Sequence, residues 1–437
     1  MPYNCMRYQL RIYLLIGLLW STCAKSTAQV ISPQQSPELA LEWFRLQLHL
    51  IRSSEGFAPP VAARALGYTS LALYESLVPG MPQNRSLVGI LNDFKSLPPI
   101  NLNYHYQWLL AANATQATLL KSLYPHTSTK NLQKIDSLYL LLEKKYADKT
   151  DQASIERSVQ WGERLAKSIF EYSKTDGGHE AYLKNFPADY QKIKGACLWT
   201  PSKGQDIPLL PYWGHNRTFL KGNADFELPE PPRCEAGKGS LLYAQALEVY
   251  SVGKNLSEEQ KQIAYFWADE AGKSFTPPGH ALSIACQIIQ KERTPLTKTA
   301  EILCKLGIGM ADAFISCWKC KFMHNLLRPS SYIRSTIDPG WEPLLPNPPF
   351  PEYTSGHASV SGAAAQILSD YFGFNYAFTD FTHVGQKPRS FDSFFEFANE
   401  AANSRLFGGI HYRNSNEQGL KNGKRIGKNV CNLNLIK

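Results

Sequence analysis

The chain has 437 residues, 43% hydrophobic and 12% aromatic, which supplies a sizeable core and excludes a disordered tail, a collagen-like fibre or a small disulfide-stapled module. Its 46 Lys and Arg against 37 Asp and Glu leave a formal charge of +9 with His neutral. No Lys/Arg block of the kind that tracks a phosphate backbone accompanies this mild excess. Nucleic acid is therefore not an expected partner, whereas an anionic small substrate suits the balance.

The N-terminus reads as an export signal over residues 1–28. Arg7 and Arg11 precede the apolar run Ile12 to Trp20, and small and polar residues around Ser26-Thr27-Ala28 give a cleavage site after Ala28. That run is too short to span a bilayer, and no later stretch approaches about 18 consecutive apolar residues. The expectation is an exported protein, periplasmic or secreted, with lipidation at Cys23 the lesser alternative. Removing Cys5 and Cys23 from the nine cysteines leaves seven, so at least one is unpaired or pairs between chains. Cys317-Trp318-Lys319-Cys320 has redox spacing, but it sits in a helical pattern with no strand before it, which favours two buried thiols.

From residue 36 onward the pattern is helical. Ser36-Pro37-Glu38 opens a segment through Arg52, with Pro in the first turn and an acid after it. Apolar periodicity places further helices at about 60–78, 103–123, 129–147 and 151–174. Thr175 to Arg233, with Gly177-Gly178 and several prolines, reads as an irregular connection, and one this long needs a purpose or must pack. Helical pattern returns near Ser240, and Ser257-Glu258-Glu259-Gln260 matches a capping box. Thr276-Pro277-Pro278-Gly279 is a break before a helix through about Gln290, and Thr294-Pro295 starts another towards Leu327. No sustained strand alternation or internal repeat is evident. The expected fold is mainly α: two packed helix bundles joined by an irregular segment, divided as an N-terminal region 29–233 and a C-terminal bundle 234–437.

Three segments of the second half carry chemistry. Lys321 and Arg328 lie two helical turns apart and can share one side, and Pro329 pushes Arg328 out of helical geometry at a helix end. Taken alone, such a pair is more often a solvated basic patch. Next, Pro348-Pro349-Phe350-Pro351-Glu352-Tyr353-Thr354 leads into Ser355-Gly356-His357 at the start of a helix over Ala358 to Phe372. Gly362 and Ala363 to Ala365 permit close packing there. A helix N-terminus binds anions through its free N–H groups and positive dipole end. A plain Ser355 cap does not explain a His beside it. Third, Ser404-Arg405-Leu406-Phe407-Gly408-Gly409-Ile410-His411 places two glycines in a helical run, letting the backbone approach something closely.

Together Lys-x6-Arg-Pro, Ser-Gly-His and Ser-Arg-x5-His resemble the vanadium-dependent haloperoxidase and type 2 phosphatidic-acid-phosphatase superfamily, in its bacterial haloperoxidase-like branch. Phe57-Ala58-Pro59-Pro60, Tyr265-Phe266-Trp267-Ala268-Asp269 and Asp312-Ala313-Phe314 extend the similarity over about Leu39 to Val430. The resemblance implies that Lys321, Arg328, Ser355, Gly356 and Arg405 hold the oxygens of vanadate or phosphate. It implies that His411 bonds to vanadium or attacks phosphorus, and that His357 is the acid–base group. Trp318 and Phe350 resemble the aromatic wall of a halide site, though core packing would also account for them.

The implied activity is oxidation of a halide such as bromide by hydrogen peroxide at His-bound vanadate. One alternative is a soluble acid phosphatase acting on a phosphomonoester, and another is an oxyanion-binding protein without turnover. The phosphatase motif carries an acid four residues after the last His; here that position is Ser415, which leaves the group orienting His411 unidentified. His280 and His324 lack a metal-ligand spacing, so a zinc site is not expected. His324 could reach the pocket, and Asp269 could pair with Arg405.

Overall fold

A computed structural model describes residues 29–201, 206–224, 230–233 and 237–437. The expected export signal, with Cys5 and Cys23, lies outside the described residues. Among these are thirteen α-helices and one two-stranded hairpin, and no helix is long and apolar enough to cross a membrane.

The first five helices are α1 (Glu38–Ser53), α2 (Pro59–Leu77), α3 (Trp108–Leu123), α4 (Thr129–Ala147) and α5 (Gln152–Lys174). Their starts follow local chemistry. Pro37 and Glu38 begin α1, Ser128 accepts from Asn131 N–H, and Asp151 accepts from Ser154 N–H. Only α3 departs from its expected bounds. It begins at Trp108 rather than near 103, because the Gln107 side chain accepts from Leu109 N–H and caps it there.

The second half holds α6 (Leu241–Lys254), α7 (Glu258–Phe266), α8 (Thr276–Lys291), α9 (Leu296–His324), α10 (Pro329–Thr336), α11 (Gly356–Phe372), α12 (Phe394–Phe407) and α13 (Arg413–Cys431). The capping box at Ser257 forms, with Ser257 and Gln260 each bonding the other's backbone. The Thr276-Pro277-Pro278-Gly279 break is instead the first turn of α8, where a missing proline N–H costs no helical bond. α9 stops three residues short of Leu327 because Asn325 takes the left-handed conformation (φ 46°). Gly408 and Gly409 end α12 rather than lying within it. Gly409 has φ +74°, and a Cβ there would press on Trp341 and Pro343 at 3.0 Å. A hairpin of β1 (Phe378–Asp380) and β2 (Arg389–Phe391) also forms, pairing Phe378 with Phe391. Strands of three residues are too short to register as alternation.

α9 is the central column, about 44 Å long at 1.5 Å per residue. It is buried along nearly all its length, as expected of a helix apolar all round. α2 packs on one flank and α11 and α13 on another, and one hydrophobic core runs continuously from Ile31 to Leu435. Closest of all is the α11–α13 contact. A Cβ at Gly423 would collide with the Ser359 carbonyl, and one at Gly362 would stand 2.6 Å from the Leu420 carbonyl. This approach locks the start of α11 beside the turn that carries His411.

The connection over 175–233 forms only short 3-10 turns among its described residues, yet it is stitched to the second half. Trp199 N–H donates to Asn325 O and Leu209 N–H to Pro349 O, both at 2.7 Å. Phe219 and Leu220 N–H donate to the buried Asp312 carboxylate on α9.

Candidate active site

The three segments singled out above converge. Arg328 Nη1 lies 3.1 Å from His411 Nε2 and donates to Ile410 O at 2.8 Å. Ser355 N–H donates to Ser415 O at 3.2 Å, tying the start of α11 to the turn after His411. Ser355 is itself the N-cap, accepting from Ala358 N–H. Lys321, in the last turn of α9, donates to Pro351 O and Glu352 O at 3.0 and 2.9 Å. Arg405 donates to Trp267 O at 2.5 Å, to Ala264 O at 3.2 Å and to Ser404 Oγ at 2.9 Å.

A cavity of about 660 Å³ opens onto this group. Gly356, His357, Arg405 and His411 belong to its lining, and Trp318 and Phe350 stand in its wall. Lys321, Arg328 and Ser355 lie behind that surface, almost wholly buried. The Trp318 and Phe350 rings are 4.9 Å apart, and Lys321 Nζ sits 4.9 Å over the Phe350 ring.

The group that orients His411, which the sequence left open, is Glu352. Its Oε1 takes a hydrogen bond from His411 Nδ1 at 2.7 Å and one from Tyr412 N–H at 3.0 Å. Ser415 Oγ stands 3.4 Å from the same nitrogen as a secondary contact. This pairing sets the tautomer. Nδ1 carries the proton for the carboxylate, so Nε2 keeps its lone pair, which Arg328 meets. Glu352 lies in the Pro-rich approach to Ser355, 59 residues before His411, so no local spacing marks it.

Charge at the site is lopsided. Burial pulls Lys321 down to about 8 and Arg328 and Arg405 to about 10, yet all three keep their protons at neutral pH. Facing them, Glu352 is pushed up to about 7 by burial, against the pull of Arg328 and Lys321. Burial and the neighbouring cations hold the His411 and His357 rings well below the ordinary histidine value, so both are neutral. Asp269, held ionised, also acts on Arg405, but its charge is met by His280, so the three buried cations still outweigh the carboxylates facing them and ask for an anion.

Two further observations fit a tetrahedral oxyanion. His357 Nε2 is buried with no protein partner, an orphan that a ligand oxygen would satisfy. A Cβ at Gly356 would meet nothing closer than Phe314 and Trp318 at 3.5 and 3.6 Å, so protein packing does not fill the ground beside the helix N-terminus. Vanadate and phosphate make the same demands on such a donor set.

Other expectations resolve differently. Asp269 does not pair with Arg405. It accepts from His280 Nδ1 at 2.9 Å, while Asp380 takes His280 Nε2 at 2.7 Å, and the hydrogen bonds of Arg405 go to the Trp267 and Ala264 carbonyls and to Ser404 Oγ. His383 Nε2 lies 3.6 Å from Asp269, completing a His and Asp group that could in principle hold a metal. Its members come from separate segments, so no sequence spacing announces it. His324 does not line the cavity; it packs edge-on against Tyr353 at 5.5 Å. Cys317 and Cys320 are buried free thiols, and Cys317 donates to Thr354 O.

Comparison with known proteins bears on this geometry. A family model described as the VCPO second helical-bundle domain matches residues 301–435. The structure described as the first bacterial vanadium-dependent iodoperoxidase is similar at 32% identity and TM-score 0.84, covering 94% of this chain and 99% of that one. Holo- and apo-type bacterial vanadium-dependent chloroperoxidases share the fold, each with a TM-score of 0.67, at 17% and 16% identity. These matches cover 91% and 86% of this chain and 94% and 93% of those. No curated protein sequence matches. With its helical architecture and near full-length similarity to the iodoperoxidase, the chain belongs to the vanadium haloperoxidase superfamily.

Proposed function

We propose that the protein is an exported, vanadium-dependent haloperoxidase that oxidises halide with hydrogen peroxide. Lys321, Arg328, Arg405, Ser355 and the Gly356 backbone would hold the oxygens of vanadate, and His411 Nε2 would bond the metal. When bound, vanadate supplies a Lewis-acidic centre that makes peroxide electrophilic towards halide. The chain's own part is positioning and proton traffic. Glu352 fixes the His411 ring with its Nε2 lone pair directed to Arg328 and the cage. The three cations offset the anion's charge in a water-poor floor. His357, neutral with an unpartnered Nε2, accepts a proton from incoming peroxide and returns it to a leaving oxygen. Trp318 and Phe350 offer an apolar wall for a weakly hydrated halide.

The observation that carries this reading is the buried Glu352–His411–Arg328 chain at the cavity floor. Vanadate titration of metal-free protein, scored by peroxide-dependent formation of triiodide and bromination of monochlorodimedone, tests it. Saturable, vanadate-dependent turnover of either halide is expected, and its absence overturns the proposal. Disulfide bonding at Cys197 supports an oxidising compartment, which detection in the periplasm or medium would test. The Glu352 contact also favours a second reading, phosphomonoester hydrolysis with His411 as nucleophile and His357 as general acid, because it supplies the carboxylate missing at Ser415. Hydrolysis of p-nitrophenyl phosphate without halide oxidation would select it.

A further inference from the structure

Apart from the oxyanion cage, a second polar cluster is built from three segments. Asp269 follows α7, His280 lies on α8, and Asp380 and His383 lie at the end of β1 and just beyond it. The His280 ring is buried beneath Trp267, which stacks on it at 4.4 Å. Each of its nitrogens meets a carboxylate: Nδ1 lies 2.9 Å from Asp269 Oδ2 and Nε2 2.7 Å from Asp380 Oδ2. Asp380 is itself held in place, accepting from Thr382 N–H at 2.9 Å and from the Thr382 hydroxyl at 2.6 Å. A carboxylate fixed behind an imidazole in this way is the usual support of a metal-binding histidine, setting its tautomer and its basicity.

His383 is the member left unsatisfied. Its hydrogen bond goes to the Phe266 backbone, and its Nε2 is buried with no partner, 3.6 Å from Asp269 Oδ1. Burial and the charge on His280 hold the ring below the ordinary histidine value, so Nε2 presents a lone pair. A lone pair and a carboxylate oxygen facing each other in a buried place ask for a cation between them. One donor atom from each of Asp269, His280 and His383 lies within 4.8 Å of the others. Ligands of one tetrahedral ion stand about 3.4 Å apart, so a small shift of the segment between β1 and β2 closes the set. Asp269 lines the large cavity and the His383 side chain is 15% exposed, which gives an ion a way in.

We propose that Asp269, His280 and His383 bind a zinc ion, with Asp380 orienting His280 from behind. Two imidazoles and one carboxylate are the ligands of a divalent transition metal, whereas calcium and magnesium take oxygen. The ion replaces the Nδ1 proton of His280, which leaves to solvent, and water completes the fourth position. Exchanging one proton for a divalent ion adds a single positive charge beside two carboxylates. Once loaded, the site clasps the segment after α7, α8 and the β1–β2 hairpin to one another. No residue of the oxyanion cage takes part, and binding there is independent of the haloperoxidase reading.

The probe is zinc chloride, titrated calorimetrically into the chelator-treated full chain with no vanadate, peroxide or halide. Saturable one-to-one binding is expected, weakened at least about 100-fold in His383→Ala, since even partners outside the ligand set cost about 10–100-fold. Calcium and magnesium should give no saturable binding. No saturable zinc binding by the wild type, equal zinc affinity in His383→Ala, or calcium binding as tight as zinc overturns the proposal. Zinc should also raise the midpoint of thermal unfolding in the wild type and leave that of His383→Ala unmoved; equal shifts would contradict the site. Cobalt(II) reads the ligand set in the wild type, so the test stands even if the variant fails to fold. Intense visible bands of a four-coordinate ion are expected, and only the weak bands of the solvated six-coordinate ion would overturn the proposal.

Discussion

Replacing Glu352 with Ala sets two physical effects against each other. The change removes the acceptor of His411 Nδ1–H and Tyr412 N–H, at 2.7 and 3.0 Å, and frees the imidazole to turn. Orienting partners of this kind are worth about 10–100-fold in metal affinity, or ~1.4–2.8 kcal/mol. The change also deletes a negative charge roughly 5 Å from Nε2, and a full charge there costs a bound anion roughly 3 kcal/mol at an effective dielectric near 20. Burial holds the Glu352 carboxyl at about 7, so at pH 6 that charge is largely absent and orientation decides. At pH 6, vanadate affinity, which needs the His411 bond, should fall about 10–100-fold. Phosphate affinity, which needs only the cations and N–H groups, should change by less than about threefold (~0.65 kcal/mol). Glu352→Gln, keeping an acceptor and no charge, should recover most of the vanadate loss. Calorimetric titration of both oxyanions into metal-free protein reads these numbers, with thermal unfolding as the folding control. Unchanged or tighter vanadate binding at pH 6, or a parallel loss of both anions, would refute the orienting role.

Four further outcomes are expected. His411→Ala should abolish vanadate-dependent turnover while the cage still takes up phosphate; retained turnover would remove His411 from the site. His357→Ala should cut turnover by about 10²–10⁴-fold, the usual range for a general acid–base group, with phosphate affinity retained. A variant as active as wild type would end that assignment. Phosphate binding should draw in protons. Both rings have lowered values in the free protein, and a nearby anion raises them, so affinity should increase as pH falls. Titration in buffers of different ionisation enthalpy reads the uptake, and proton release would contradict it.

The last of the four concerns His280. Burial disfavours its charge, but Asp269 and Asp380 outweigh that and raise it to about 10. A raised value means its stabilising contribution is complete below about 6.5 and is lost as pH climbs towards the folded-state value. His280→Ala leaves two buried aspartates unpaired and should cost about 3–5 kcal/mol in denaturant unfolding. A loss under about 1 kcal/mol would show that the pair of contacts carries no such charge.

Much of this was legible along the chain because the signals were local. The capping box at Ser257, the helix start at Ser355 and the apolar periodicity of α4 and α5 mark helices whichever way these then pack, and the ordered motifs around Lys321, Ser355 and His411 survive as sequence. Prolines and glycines misled where they act at ends rather than interiors. Pro277 and Pro278 begin α8, and Gly408 and Gly409 close α12. The site's supporting residues were hidden for a different reason. Glu352 meets His411 across 59 residues, His280 meets Asp269 and Asp380 across 11 and 100, and Asn185 lines a cavity shared with segments near 56 and 347. Those contacts exist only once α9, α11 and α13 have packed, so periodicity and spacing hold no record of them.

The central claim is that one oxyanion sits among Lys321, Arg328, Arg405, the start of α11 and His411. Its most direct test is a crystal grown with orthovanadate, with anomalous differences collected at the vanadium absorption edge. The account predicts one dominant peak within bonding reach of His411 Nε2, lost in His411→Ala. A peak elsewhere in the molecule, or none at saturating vanadate, would contradict it.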